Sequence, residues 1–558
     1  MKKVKKYRGD VLDSLEAWCA KHQRRIIAVI IAVFSLFSLL LFNIRVSEGG
    51  DDSTYIIRAA NFISQGAYPS FQGPFYPLFL SWLVAIFGIN LGVLKLSSFV
   101  IMVLSIWFFY RFFRNRFSYT LLFAMLLLLS VSSYFVYFTS QTYSEALFIF
   151  LQLPVFTLVF SIYEDQKPSF NWTRLLGLSA VILAGYLTRT VGIGTLIAVV
   201  VFLMVIKKHK EAGIVTGGFI LLFFTFLIIK ASIWQNGFFE DGQASTLFYK
   251  HPYQLELGKE TFGGFLMRFI DNSNLYLSKH FLKMVGLRTH AINSTTGGLT
   301  LLLYAIFTLA TLRAFKKDKY LLFIGIYLTI MLGITFLVLH KMWDQYRLII
   351  PFFPYMILVL LYGLWIVVKN WKIPIPTYMF LILIGIGVIS SASRSFSQID
   401  LMTLRKNIRG DVYEGYTEDW KNYLTMAEYA SVELSEDNYV AVRKPNMAQI
   451  YGNGKKFYGI YRYDTEDPDK LLARLQENGV THVIMASLRK NPHINNGMTI
   501  NTIQRYLYLI VKKYPQAFKL VHQIGGQVEP AFLFKVDYEA VKTQRNATKL
   551  TNTRSDES

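Results

Sequence analysis

Two adjacent aspartates stand in Gly49-Gly50-Asp51-Asp52-Ser53-Thr54-Tyr55, a few residues after an apolar run from Ile26 to Phe42. Arg24 and Arg25 precede that run, so the aspartates are predicted on the side of a membrane opposite the basic N-terminus. Carboxylates at a membrane–water interface are poorly placed for packing and well placed for chemistry on a substrate that is half lipid. Three roles fit them: caps of the helix that follows, a general base beside the bilayer, or oxygen ligands of a divalent cation such as Mg or Mn. Further charged groups are predicted at the same interface. Glu145 opens a span within Gln141-Thr142-Tyr143-Ser144-Glu145, where it either sits in the first helical turn or assists a metal or acceptor. Arg189 lies between two spans in Leu187-Thr188-Arg189-Thr190. Arg347 ends His340-Lys341-Met342-Trp343-Asp344-Gln345-Tyr346-Arg347, just before Pro351 and Pro354. Each arginine either serves the fold, by snorkelling to headgroups or by pairing as Arg347 with Asp344, or binds a phosphate through charge-assisted hydrogen bonds. Lys341 is a further cation for that phosphate.

The elements that must position these groups are membrane helices. Of 558 residues, 53% are hydrophobic and only 17% charged, far less charge than a soluble protein of this size carries. Runs long enough to cross a hydrocarbon core are predicted at 26–42, 91–110, 119–138, 145–163, 175–187, 192–206, 213–231, 297–312, 320–339, 348–368 and 377–393, about eleven crossings. The segment 74–88 is apolar but short and opens with Pro74 and Pro77, which suits a helix at the interface that does not cross. With that segment left out, the basic loops 111–116, 207–210, 313–319 and 369–372 all fall on the side of Lys2, Lys3, Lys5 and Lys6, as the positive-inside rule requires. The N-terminus is then cytoplasmic, in a cytoplasmic (inner) membrane. The outer face receives the loop 43–90 with its acidic pair, the loop 232–296 and everything after Ser393. The net charge of +22 is thereby explained without nucleic acid as a partner. Residues 1–393 form the membrane module.

From 394 to 541 the composition is that of a small α/β domain. Helices are predicted at 419–434, 468–478 and 502–514, and strands at 439–443, 480–486, 518–523 and 531–536. The polar tail 542–558 is predicted disordered. Residues 51–65 place Tyr55, Ile56, Ala59, Ala60, Phe62 and Ile63 on one helical face, with Asp51 and Asp52 at the N-terminus, where the helix dipole favours anions. A further helix is predicted at 262–276. The lone cysteine, Cys19, excludes an intramolecular disulfide framework, and the nine histidines show no zinc-binding spacing. There is no Walker A loop, no Gly-x-Ser-x-Gly elbow and no dinucleotide-binding glycine loop. The first apolar run lacks a small-residue cleavage pattern and is expected to stay as an anchor.

The order Asp51-Asp52, Tyr55, Arg58-Ala59, Gly66, Gly73-Pro74-Phe75-Tyr76-Pro77-Leu78 and Phe87-Gly88 resembles the first outer loop of the GT-C membrane glycosyltransferases. The similarity is to the branch holding protein O-mannosyltransferases and the aminoarabinose transferases of lipid A. It departs in having Asp52 where that branch has glutamate, and a single proline at 74. The resemblance implies a GT-C fold, an all-α polytopic membrane protein with a C-terminal extracytoplasmic α/β domain. It implies transfer of a sugar from a polyprenyl-phosphate donor to a glycan, lipid or protein acceptor hydroxyl at the outer face. Asp51 or Asp52 would be the base, and Arg189, Arg347 and Lys341 would bind the donor phosphate. Tyr55, Arg58, Glu145 and Tyr346 would line the site. A divalent cation on Asp51, Asp52 and Glu145 is compatible with this scheme and not required by it. The competing class is a secondary transporter or lipid-linked-glycan flippase, which would carry its charges at mid-membrane.

Overall fold

A computed structural model describes residues 2–70, 73–165, 171–234, 246–252, 254–370, 375–461, 465–488, 502–526 and 529–546. Among them, eight helices are long and apolar enough to cross a membrane. A ninth is a pair, Tyr119–Val131 and Ser133–Ser140, bent by 66°. Two of the expected crossings are shorter helices: Trp172–Thr188, and a stretch Thr190–Val205 that begins as a 3₁₀ turn. The chain is a multi-pass membrane protein. The segment predicted not to cross is a helix of 13 residues, Phe75–Phe87. At 1.5 Å per residue it reaches about 20 Å, short of a hydrocarbon core of about 30 Å.

By its internal contacts the chain divides into two compact units: 1–42 with 58–401, and 43–57 with 402–558. In the first, Ser144–Glu164 packs against Leu91–Phe113 and Trp172–Thr188, and Trp172–Thr188 packs in turn on His209–Trp234. Aromatic side chains fill the centre, with Phe156 stacked on Tyr355 at 4.4 Å between ring centroids. One end of this unit brings together residues at or beside three of the four predicted basic loops. Arg116 pairs with Glu164 at 2.7 Å, and the Tyr320 hydroxyl donates to the same carboxylate at 3.0 Å. Lys208 Nζ donates to the Ile162 carbonyl at 2.6 Å. The N-terminal helix Lys2–Leu40 joins this end through Glu16, which accepts from the Tyr119 and Thr120 N–H groups at 2.7 and 2.9 Å.

The second unit is built on a mixed sheet of β1 (Tyr439–Val442), β2 (Phe457–Gly459), β3 (Val480–Ala486), β4 (Phe518–Ile524) and β5 (Ala531–Val536), in the order β2-β1-β3-β5-β4. β1 pairs in parallel with β2 and β3, whereas β5 runs antiparallel to β3 and β4. Leu471, Leu472 and Leu475 from helix Pro468–Glu477, with Leu507 and Ile510 from helix Thr502–Lys513, cover Val480 and Val483 of β3.

Four expectations need correction. The last membrane helix, Ile375–Ser397, contains Arg394, so the soluble composition starts beyond that residue. The helix from Phe262 ends at Ser273 and continues as a π-helix, Asn274–Phe281. The short strand β2 and the helix Pro445–Tyr451 were not foreseen. Residues 542–546 of the supposed tail are helical, and the remainder of that tail lies outside the described residues.

Candidate active site

The acidic pair opens helix Asp51–Gln65. Asp52 is fully buried, and its Oδ2 accepts the Ser47 N–H at 2.6 Å. This closes the turn before the helix and uses one carboxylate structurally. Asp51 is half-buried, and Tyr55, one turn on, is buried. The turn is held by residues from the far end of the chain. The Ile44 N–H donates to Asn407 Oδ1 at 3.2 Å, and Arg45 donates to the Gly415 carbonyl. Tyr416 OH donates to the Val46 carbonyl at 2.5 Å, and Lys444 Nζ to the Gly49 carbonyl at 2.9 Å. Asn446 Nδ2 donates to Thr54 Oγ1 at 2.9 Å. Burial, then the charge of Arg443, pushes Lys444 down to about 8, against the opposing pull of Asp51, Asp52 and Glu48. Burial likewise raises the Glu48 carboxyl. Arg58, later on the same helix, is half-buried and falls in the membrane unit.

In the membrane unit, Glu145 brings two of the expected cations together. Its carboxylate is 1% exposed and lies 2.7 Å from Arg189 Nη1 and 3.8 Å from Arg347 Nε. Arg189 also donates to Ser144 Oγ at 3.2 Å, and the Arg347 guanidinium lies over the Tyr143 ring at 4.9 Å. Both arginines sit where helical structure breaks: Arg189 has extended backbone at the end of Trp172–Thr188, and Arg347 lies in the 3₁₀ turn Tyr346–Leu348. Side chains there leave a terminus and do not lie along a helix face. The segment before helix Phe75–Phe87 reaches the Arg189 break at Gly73, where a Cβ would stand 2.3 Å from the Thr188 carbonyl oxygen. Only glycine permits that approach.

Lys341 is placed apart from this pair, in an exposed ion pair with Asp271. Asp344 pairs with Lys279 at 2.5 Å and His280 at 2.6 Å, so it is no local partner for Arg347. Hydrogen bonding by His280 holds that carboxyl well below the usual range. Tyr346 packs edge-on to Tyr134, with ring centroids 4.8 Å apart. Sequence reasoning missed Lys95, a fully buried lysine in the first turn of Leu91–Phe113. One turn on, Ser98 Oγ donates to the Gln141 carbonyl at 2.7 Å, which ties that helix to the segment leading into Glu145. A lysine inside an apolar run was the signal available.

Among the described residues no group of three or more His, Cys, Asp or Glu is arranged to hold a metal. Glu145 is committed to two guanidinium groups, which leaves two aspartates of the three suggested ligands. No step below runs through a metal ion.

No protein-family profile matches the sequence, and no curated protein matches it. Solved structures do. ArnT from Cupriavidus metallidurans bound to undecaprenyl phosphate superposes with a TM-score of 0.55 at 12% identity, over 91% of this chain and 97% of that one. The oligosaccharyltransferase AglB from Archaeoglobus fulgidus, in complex with an inhibitory peptide and a dolichol-phosphate, gives 0.52 at 11% identity, over 84% and 70%. An Archaeoglobus fulgidus oligosaccharyltransferase tethered with an acceptor peptide gives 0.54 at 12% identity, over 93% and 75%. This chain has the GT-C fold. At such identities the likeness is one of fold, and the chemistry must be argued from the side chains present here.

Proposed function

We propose that this GT-C protein is a glycosyltransferase that moves a sugar from a polyprenyl-phosphate-linked donor to an acceptor hydroxyl at the outer face of the cytoplasmic membrane. The observation that carries the reading is the convergence of Arg189 and Arg347 on Glu145. One carboxylate against two guanidinium groups leaves net positive charge at a membrane helix terminus. That suits a lipid-borne phosphate, whose charge grows as it leaves.

The chemistry follows from the groups in hand. The acceptor oxygen attacks the anomeric carbon of the donor sugar, forming the new glycosidic bond. The bond from that carbon to the phosphate oxygen breaks, and its electron pair stays on the released polyprenyl phosphate. The hydroxyl proton passes to a carboxylate, assigned here to Asp51 because Asp52 is fixed to the backbone of its own turn. Direct displacement inverts the anomeric centre. A glycan, a lipid or a protein would each supply the hydroxyl, and a sugar carried on lipid spares the outer face any need for nucleotide sugars.

The test is complementation of a deletion strain with Asp51→Asn and Asp52→Asn separately, with membrane expression checked by immunoblot and surface glycans read by mass spectrometry. Asp51→Asn is expected to cut transfer by about 10²–10⁴-fold, the range for a lost general base. Full transfer by both variants would remove the base from the proposal.

A further inference from the structure

A second group of cations lies in the membrane unit, and the reaction above gives it no role. Lys279, His280 and Lys283 follow one another along the π-helical segment and its exit, and all three are buried. Arg288 and His290 lie in the loop beyond, and Arg394 near the end of the last membrane helix. Asp344 is matched by Lys279 and His280. Lys283, His290 and Arg394 are linked instead through the His290 carbonyl and the Tyr134 side chain, and Lys283 Nζ also donates to Asn293 Oδ1 at 3.1 Å. Lys283 Nζ donates to the His290 carbonyl at 2.8 Å, and the Tyr134 hydroxyl lies 3.0 Å from His290 Nδ1. The Arg394 guanidinium covers the Tyr134 ring at 4.4 Å and donates to Ser133 Oγ at 3.1 Å.

The elements that present them are tied by serine hydroxyls to backbone carbonyls and by one close glycine approach. Ser132 Oγ, at the break of the bent helix pair, donates to the Met284 carbonyl at 2.9 Å, and Ser395 Oγ donates to the Val131 carbonyl at 2.6 Å. Gly286 has φ of +76°, and a Cβ there would stand 2.4 Å from the Gly387 carbonyl oxygen. A rigid frame thus holds four positive groups, Lys279, Lys283, Arg288 and Arg394, close enough to act on one another, with the imidazole of His290 beside them and one carboxylate, Asp344, opposing them. Burial and these positive neighbours hold both Lys283 and His290 below their ordinary values. Such a cluster is stabilised by an anion. It shares a wall with the first arginine pair, since Tyr134 packs on Tyr346 and Tyr346 precedes Arg347.

We infer that Lys283, His290 and Arg394 form a second oxyanion site, which takes a phosphate or carboxylate carried by the acceptor while Arg189 and Arg347 hold the donor phosphate. The assignment to the acceptor rests on the donor reading above, because a donor with one phosphate fills only one of the two sites. Acceptors bearing an acidic group next to the reacting hydroxyl are then the substrate class.

The test uses the full chain in phosphatidylcholine nanodiscs, saturated with undecaprenyl phosphate and titrated with inorganic phosphate while thermal unfolding is followed. A saturable stabilisation is expected. It should weaken about tenfold or more in Lys283→Gln with Arg394→Gln, as loss of charge-assisted hydrogen bonds implies. It should persist in Lys283→Arg and in Arg189→Gln with Arg347→Gln. No saturable response in the wild type, or an unchanged response in Lys283→Gln with Arg394→Gln, would overturn the site. Phosphatidylglycerol in the disc should leave the titration unchanged. Competition by it would overturn the acceptor assignment and give the site to a lipid headgroup. Retention of undecaprenyl phosphate by Arg189→Gln with Arg347→Gln, read by native mass spectrometry, would sink the donor reading and leave the second oxyanion site standing.

Discussion

Glu145 is the residue on which the two arginines depend. It is 1% exposed, whereas the arginines keep 18% and 26% of their side-chain surface. Breaking a fully buried pair costs about 3–5 kcal/mol, and the residual exposure of the arginines lowers the figure here to about 2 kcal/mol. Glu145→Gln is therefore expected to lower the unfolding temperature. Undecaprenyl phosphate should restore part of that loss, because its phosphate offers the anion that glutamine lacks. Differential scanning fluorimetry with and without the lipid reads both effects. Equal stabilisation of wild type and variant by the lipid would separate Glu145 from phosphate binding. Arg189, Arg347 and Glu145 were each legible as interfacial charges, since a charge beside an apolar run demands a partner. That Glu145 would be the partner of both was not legible. Arg347 had a nearer acid in Asp344, and local spacing gives no sign that Lys279 and His280 claim it.

The acidic turn shows the same limit for a whole element. Its helix was readable from the apolar spacing at 55–63, and strands β3 and β5 follow their expected bounds. The hydrogen bonds that hold the turn were not readable, because they join residues 363 to 405 positions apart. What they show is that the C-terminal α/β unit supports the turn that carries Asp51. Lys444 is the charged member of that support, and it titrates close to physiological pH. Its folded value, about 8, lies below the ordinary 10.5. Between these values the unfolded chain binds the extra proton, so stability rises with pH from about 8 towards 10.5, and the cost of burying the charge is fully present below 8. In the folded protein the charge acting on Asp51, Asp52 and Glu48 is lost as pH rises through about 8. Transfer activity is therefore expected to fall as pH rises through about 8 in the wild type. Lys444→Arg, which keeps its charge, should hold activity to higher pH. Matching profiles for the two proteins would show that Lys444 acts only as a hydrogen-bond donor.

At the scale of the molecule, the charge pattern led furthest. Arg116, Glu164, Tyr320 and Lys208 bring residues at or beside three of the four basic loops predicted on one side of the membrane to one end of the membrane unit. Eleven apolar segments were expected, and the described residues supply eight long helices, one bent pair and two shorter helices in their places. The bend was not foreseen because hydropathy measures apolar length and is blind to where a helix breaks. If the eleven expected segments all cross, three crossings separate Lys317 from Ser435, so these two exposed residues should lie on opposite faces. Cys19 is the one cysteine in the sequence, which makes a cysteine-free background a single change, Cys19→Ala. In that background, Ser435→Cys should react with a membrane-impermeant maleimide in intact cells, and Lys317→Cys only after lysis. The reverse pattern would put the acidic turn, which folds with the C-terminal unit, in the cytosol, where a lipid-linked donor on the outer leaflet is out of reach.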